Sequence, residues 1–244
     1  MTQTTTPPMA APGWAQYRAV ARPAGLFTVW VDYPVSARLC VAAHRWGLRP
    51  SALTLANLVL GVGASLTTVA LAEAVAGGTA RWWGVVAWLL WQVAYVCDCC
   101  DGQLARVTGQ SSAAGGRLDV LCDIAVQIAL VGAVAAVVSA ASSWVPSWLL
   151  AVFGASWMVN MVTSVMAKEG TNVSLVTSGS PLVRLVKLVR DYGFMVTLVA
   201  VSLVLWPAGM VWVMALFTVV NCGFLAASVA ASGRSAWGAG GQGR

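Results

Sequence analysis

Six apolar stretches leave this chain few ways to fold. They lie near 53–72, 82–105, 118–141, 147–167, 190–206 and 208–229, each close to the ~20 residues an α-helix needs to cross a bilayer core. Helix breakers separate them: Gly77-Gly78, Gly115-Gly116, Pro146, Gly170 through Gly179 with Pro181, and Pro207. The fifth helix can begin as early as Pro181, because Leu182, Leu185, Val186 and Val189 continue an apolar face. Charged residues make up 9% of the 244, against about a quarter in soluble domains, which argues against a water-soluble enzyme. A hydrophobic content of 59% argues equally against a disordered chain. Six Cys over this length are too sparse for a disulfide scaffold. The expected fold is an all-α integral membrane protein with six transmembrane helices.

The ends of the chain read differently. Residues 1–24 are rich in Thr, Pro and Ala, with Arg18 and Arg22, and read as a disordered cytoplasmic tail without the pattern of a signal peptide. Residues 25–47 carry Asp32, Arg38, His44 and Arg45, which a span would not hold cheaply. They suit an interfacial amphipathic helix at about 30–47, with Leu39, Val41 and Trp46 toward lipid. Residues 25–231 form a single domain, and 232–244, made of Gly, Ser and Arg, a flexible cytoplasmic tail. Six spans place Arg81 alone on one side of the membrane and every other Lys and Arg on the opposite side. The positive-inside rule then puts both termini and the 2–3 and 4–5 connections in the cytoplasm of a multi-pass cell-membrane protein. The net charge of +6 is thus a topology signal, not a mark of nucleic-acid binding.

Four carboxylates sit where a membrane protein should avoid them: Asp98 and Asp101 at the end of span two, Asp119 and Asp123 at the start of span three. Ionisable groups at membrane depth are costly and point to function. The spacings i, i+3 and i, i+4 put each pair on one helix face, and a short turn makes the two pairs converge. Their repulsion is relieved by protonation or by a bound cation, and oxygen ligands suit Mg²⁺, Mn²⁺ or Ca²⁺. Cys97, Cys99 and Cys100 follow one another too closely for a common zinc pattern, and with Cys122 read as small packing thiols. Gly102 and Ala105 leave room beside the carboxylates, Arg106 is placed to meet a phosphate, and Gly115 and Gly116 open a helix whose free N–H groups suit an anion. The local chemistry is a divalent metal, phosphate oxygens and a close-fitting flat group.

From Asp98 the chain reads D-C-C-D-G-Q-L-A-R, then eight residues, then G-G-R-L-D-V-L-C-D ending at Asp123. This resembles the CDP-alcohol phosphotransferase signature D-x2-D-G-x2-A-R-x8-G-x3-D-x3-D at every specified position. Pro50-Ser51 with Thr54 is similar to a Pro-Asn element that helps to hold the cytidine, with Ser51 replacing the Asn. The resemblance implies that Asp98, Asp101 and Asp119 hold a pair of divalent ions, Mg²⁺ or Mn²⁺. It implies that Asp123 borders the metals and takes the proton from the acceptor hydroxyl. Gly102, Ala105, Arg106, Gly115, Pro50, Ser51 and Thr54 would accommodate the nucleotide and diphosphate. The implied reaction moves a phosphatidyl or other substituted phosphoryl group from a CDP-alcohol, such as CDP-diacylglycerol, to an alcohol acceptor with release of CMP. The implied assembly is a homodimer.

The acceptor leaves a weaker trace. Lys168, Arg184, Lys187 and Arg190 could bind a phosphorylated acceptor, but a basic cluster flanking a span is mainly a topology and headgroup determinant. His44 reads as a surface residue. Trp82, Trp83, Trp144, Trp148, Trp206 and Trp212 read as an aromatic belt. Asn57, Gly61, Gly63, Ser65 and Asn160 suggest close helix packing, and Asp191 beside Arg190 a local ion pair. Two rivals explain the carboxylates alone: an intramembrane prenyltransferase-like enzyme and a divalent cation transporter. The Asp spacing and the Gly102, Ala105 and Arg106 insert count against the first. Arg106, and a site at one membrane face rather than the midplane, count against the second.

Overall fold

The computed structural model describes residues 11–168 and 186–240, and among them every regular element is helical. A short helix α1 (Trp14–Ala19) and a π-helical turn (Thr28–Asp32) lead into α2 (Tyr33–Arg45). Then come α3 (Pro50–Ala70), the one-turn α4 (Ala72–Ala76), α5 (Trp83–Thr108), α6 (Ala113–Ala141) and α7 (Ser147–Lys168). Helix α8 (Tyr192–Leu205), a 3₁₀ turn (Pro207–Gly209) and α9 (Met210–Gly240) complete it. Among the described residues, four helical segments are long and apolar enough to cross a membrane: α3, α5, α6 and Pro207–Ala230. The apolar runs Ser147–Val159 and Tyr192–Leu205 are shorter.

Local signals set the boundaries around the signature. Gly109, at φ 69°, takes the left-handed conformation that ends α5. Ser112 then caps α6, its Oγ accepting from the Gly115 N–H at 3.0 Å. Both helices therefore run further toward the connection than their apolar stretches alone indicate. Pro50 opens α3 at its first turn, where a missing N–H costs nothing.

Helix α3 packs most extensively against α5 and α6. The main core gathers Trp91, Phe153, Trp157, Leu203, Met214 and Phe217. Buried Trp side chains find hydroxyl partners: Trp91 Nε1 donates to Ser65 Oγ at 3.0 Å and Trp83 Nε1 to Thr68 Oγ1 at 2.8 Å. Trp83 thus belongs to the core and not to an aromatic belt, whereas Trp82, Trp144, Trp148, Trp206 and Trp212 are exposed. Their sequence settings look alike. Only helix phase separates the buried Trp from the exposed ones.

Three further expectations change. Residues 14–19 do not belong to a formless tail: they form α1, held by the fully buried Tyr17 against Cys40, Cys100 and Leu104. Helix α9 continues to Gly240, through most of the segment read as a flexible tail. On α2 the buried face is Ser36, Ala37, Cys40 and Ala43, small residues that let the helix approach α5. Leu39 and Val41 also pack partly against this cluster, and Trp46 alone of the three expected lipid contacts is exposed.

The packing role of Gly61 is specific. A Cβ there would stand 2.6 Å from Val126 Cγ1 on α6, while nothing lies within 4 Å of one at Gly63. Gly61→Leu should therefore destabilise the detergent-purified protein by about 1–3 kcal/mol, the range of an overpacked core, and Gly63→Leu should leave the melting temperature nearly unchanged. Equal losses in the two variants would rule out the close α3–α6 approach.

Candidate active site

The helical hairpin of α5 and α6 aligns the four signature carboxylates. Asp98 precedes the 109–112 connection by as many residues as Asp123 follows it, and Asp101 and Asp119 match to within one residue. At a common rise per residue, antiparallel helices bring such positions level. Asp98, Asp119 and Asp123 each offer a carboxylate oxygen, and these oxygens lie within 4.8 Å of one another. Asp98 Oδ1 is buried and has no hydrogen-bond partner. An orphaned anionic oxygen facing two other carboxylates is costly unless a cation compensates it. The all-oxygen donor set fits a hard divalent ion such as Mg²⁺ or Mn²⁺.

Asp101 stands slightly apart. It is buried, and its Oδ2 accepts from Thr54 Oγ1 on α3. One turn further along α3, Asn57 Nδ2 donates to Asp123 Oδ1 at 3.4 Å, long for such a bond. Thr54, Asn57 and Gly61 share a face of α3, so one helix face steadies two carboxylates and sets the approach to α6. Sequence reasoning assigned Asn57 to packing alone. Its position one turn from Thr54 was the available signal.

The space over Gly102, expected to be open to a ligand, is taken up by Arg106. A Cβ at Gly102 would stand 3.0 Å from Arg106 Nη1 and 3.3 Å from Nη2, so the guanidinium lies across the bare backbone. Arg106 Nε donates to the Val20 carbonyl at 2.9 Å. Ala105 is half-buried, Pro50 is half-buried and Ser51 is exposed at the start of α3. The expected free amides at the start of α6 are in use: Gly115 N–H binds Ser112 Oγ at 3.0 Å and Gly116 N–H the Ser112 carbonyl at 3.0 Å.

The basic residues expected near the acceptor are only partly described. Lys168 closes α7, but its side chain, and Arg184 altogether, lie outside the described residues. Lys187 is exposed, and the Arg190 guanidinium lies 3.6 Å from the Phe224 ring centroid. The neighbouring Asp191 turns to the N-terminal segment. Its carboxylate accepts from Thr28 N–H at 3.0 Å and from Thr28 Oγ1 at 2.7 Å. Tyr95 Oη completes this node 3.0 Å from Thr28 Oγ1. A Cβ at Gly25 would collide with the Asp191 carboxylate, and one at Gly193 with Asp32 Oδ2. The node ties the π turn to α5 and to the start of α8, and no sequence motif announced it.

Asp32 carries a testable consequence. Its carboxyl is pushed up to about 7, first by burial and then by Asp191. The folded value lies above the usual value of about 3.9, so between the two the folded protein binds more protons than the unfolded chain. Stability therefore falls as pH rises through that interval and stays lower above it. Asp32→Asn should melt higher than wild type near pH 8, and the difference should narrow on acidification and close only near the unfolded value, as read by thermal denaturation. A gap that widens on acidification would contradict the assignment.

The arrangement is an oxygen-rich cluster that could hold a divalent cation, beside a guanidinium laid over a glycine, on a helical hairpin of a membrane protein. A search of curated proteins finds no match to the chain. The family model described as CDP-alcohol phosphatidyltransferase matches residues 48–230, which run from just before α3 into α9 and cover more than half of the chain. The carboxylate hairpin lies inside that region, and the chain belongs to the CDP-alcohol phosphatidyltransferase family.

Proposed function

We propose that this protein transfers a phosphatidyl group from CDP-diacylglycerol to the hydroxyl of an alcohol acceptor, releasing CMP, as a step in phospholipid biosynthesis. The observation that carries the reading is the convergence of Asp98, Asp119 and Asp123 on one point, with a buried oxygen of Asp98 unpartnered. Family membership supplies the CDP-linked donor class and favours neither a prenyltransferase nor a cation transporter. A lipid donor suits a site at the ends of membrane helices, because its tails stay in the bilayer while its diphosphate reaches the interface.

In this reading Asp98, Asp101, Asp119 and Asp123 hold divalent cations, Mg²⁺ or Mn²⁺. When bound, these neutralise the donor diphosphate and stabilise the leaving CMP. Arg106 pairs with phosphate oxygens, and the small Gly102 and Ala105 admit the nucleotide. Pro50, Ser51, Thr54 and Gly115 border the same ligand. Thr54 keeps Asp101 oriented. Asp123, steadied by Asn57, accepts the proton of the acceptor hydroxyl as its oxygen forms the new bond to phosphorus and the bond to CMP breaks. Lys168, Arg184, Lys187 and Arg190 are the proposed contacts for a phosphorylated acceptor. The proposed topology has six spans, both termini and the site in the cytoplasm, and a homodimeric assembly.

The test is CMP release by purified protein with CDP-diacylglycerol and Mn²⁺ or Mg²⁺. The acceptors are glycerol phosphate, inositol phosphate, inositol, serine and phosphatidylglycerol in turn. Acceptor-dependent release identifies the reaction and its alcohol. Folded protein that releases no CMP with any of them, yet does so with a soluble CDP-alcohol, would displace the lipid donor.

A further inference from the structure

The N-terminal segment 14–24 reaches the site from outside the family-matched region. Helix α1 is anchored by Tyr17, which is 0% exposed, and by Trp14, whose ring centroid lies 5.7 Å from the Arg38 guanidinium. The chain then turns, with Ala21 N–H donating to the Arg18 carbonyl at 3.1 Å. Two carbonyls of the following residues are captured by side chains of α5 and α2. Val20 accepts from Arg106 Nε at 2.9 Å, and Arg22 accepts from Tyr33 Oη at 2.8 Å.

This geometry has two effects. With Nε engaged by the strap, the terminal nitrogens of Arg106 lie across Gly102, directly after Asp101. The strap thereby fixes the rotamer of a signature residue. It also brings Arg22 alongside: its exposed side chain leaves the strap two residues past the Val20 carbonyl that Arg106 holds at 2.9 Å. Two guanidinium forks at the edge of the carboxylate cluster suit phosphate oxygens, which each can bind through paired N–H donors.

We propose that Arg22 is a donor-binding residue, which with Arg106 grips the diphosphate of the CDP-linked substrate, so that the strap of residues 14–24 is part of the active site. The proposal rests on the donor reading above for the identity of the diphosphate. Arg22 itself lies outside the signature, because it precedes the matched region. A phosphorylated acceptor carries the same oxygens, and the test separates the two sources.

Initial rates of CMP release by the full chain are measured against CDP-diacylglycerol at saturating acceptor, and against acceptor at saturating donor. Arg22→Gln should raise the donor KM about tenfold or more and leave kcat within about twofold, as for lost binding common to the ground and transition states. Arg22→Lys should recover only part of the loss, since an ammonium keeps the charge but not the fork. An unchanged donor KM, or a shift confined to the acceptor KM, overturns the proposal. Should wild type release no CMP at all, the donor reading fails separately, and calorimetric binding of pyrophosphate decides the strap. About tenfold weaker binding by Arg22→Gln upholds the guanidinium pair, and equal affinity overturns it.

Discussion

Asp123→Asn is expected to lower acceptor-dependent CMP release by about 10²- to 10⁴-fold, the range for loss of a positioned general base. The substitution is nearly isosteric and keeps a polar atom for the long contact from Asn57. The fold and most of the donor site should therefore persist. Donor binding in the presence of Mn²⁺ should survive in part, because Asp98, Asp101 and Asp119 remain. The check is a paired measurement of CMP release and CDP-diacylglycerol affinity on the same preparation. Turnover within about tenfold of wild type would remove Asp123 as the proton acceptor.

Asp98→Asn should act on a different quantity. Its orphaned oxygen makes Asp98 the group with most to gain from a cation. Even residues that only support metal ligands cost about 10- to 100-fold in affinity when changed, and a direct ligand should cost at least that. Mn²⁺ affinity and donor affinity should fall together. In EDTA the variant should melt above wild type, because one of several mutually repelling carboxylates has been neutralised. Saturating Mn²⁺ should reverse the order, since about 100 times the dissociation constant stabilises a binding-competent fold by about 2.7 kcal/mol. A variant with undiminished Mn²⁺ affinity would place the cation elsewhere.

The membrane character was legible because apolar run length answers to bilayer thickness, a one-dimensional property. The carboxylate cluster was legible for a similar reason: helical spacing sets which side chains share a face, and a short linker sets which faces meet. The sequence also marks Thr54, though its hydrogen bond to Asp101 emerges only from the packing of α3 on α5. The sequence alone points to Asn57 as a packing residue and to Trp83 as a belt residue. Composition gives identity and approximate depth but not rotational phase within a bundle. The anchoring of residues 14–19 was hidden for another reason. The segment is short and polar, and its order comes from one buried Tyr and a few bonds to residues distant in the chain.

The sequence by itself determined the helical membrane class, the spacing of Asp98, Asp101, Asp119 and Asp123, and the small residues beside them, because these depend on local periodicity and on length. Only the tertiary structure decided three matters: that three of the carboxylates converge while Asp101 is held by Thr54, that Asp191 binds Thr28, and that the N-terminal strap orients Arg106. Each of these joins segments far apart in the chain. Such contacts follow from how the helices pack and which faces they turn to one another, which no local pattern specifies.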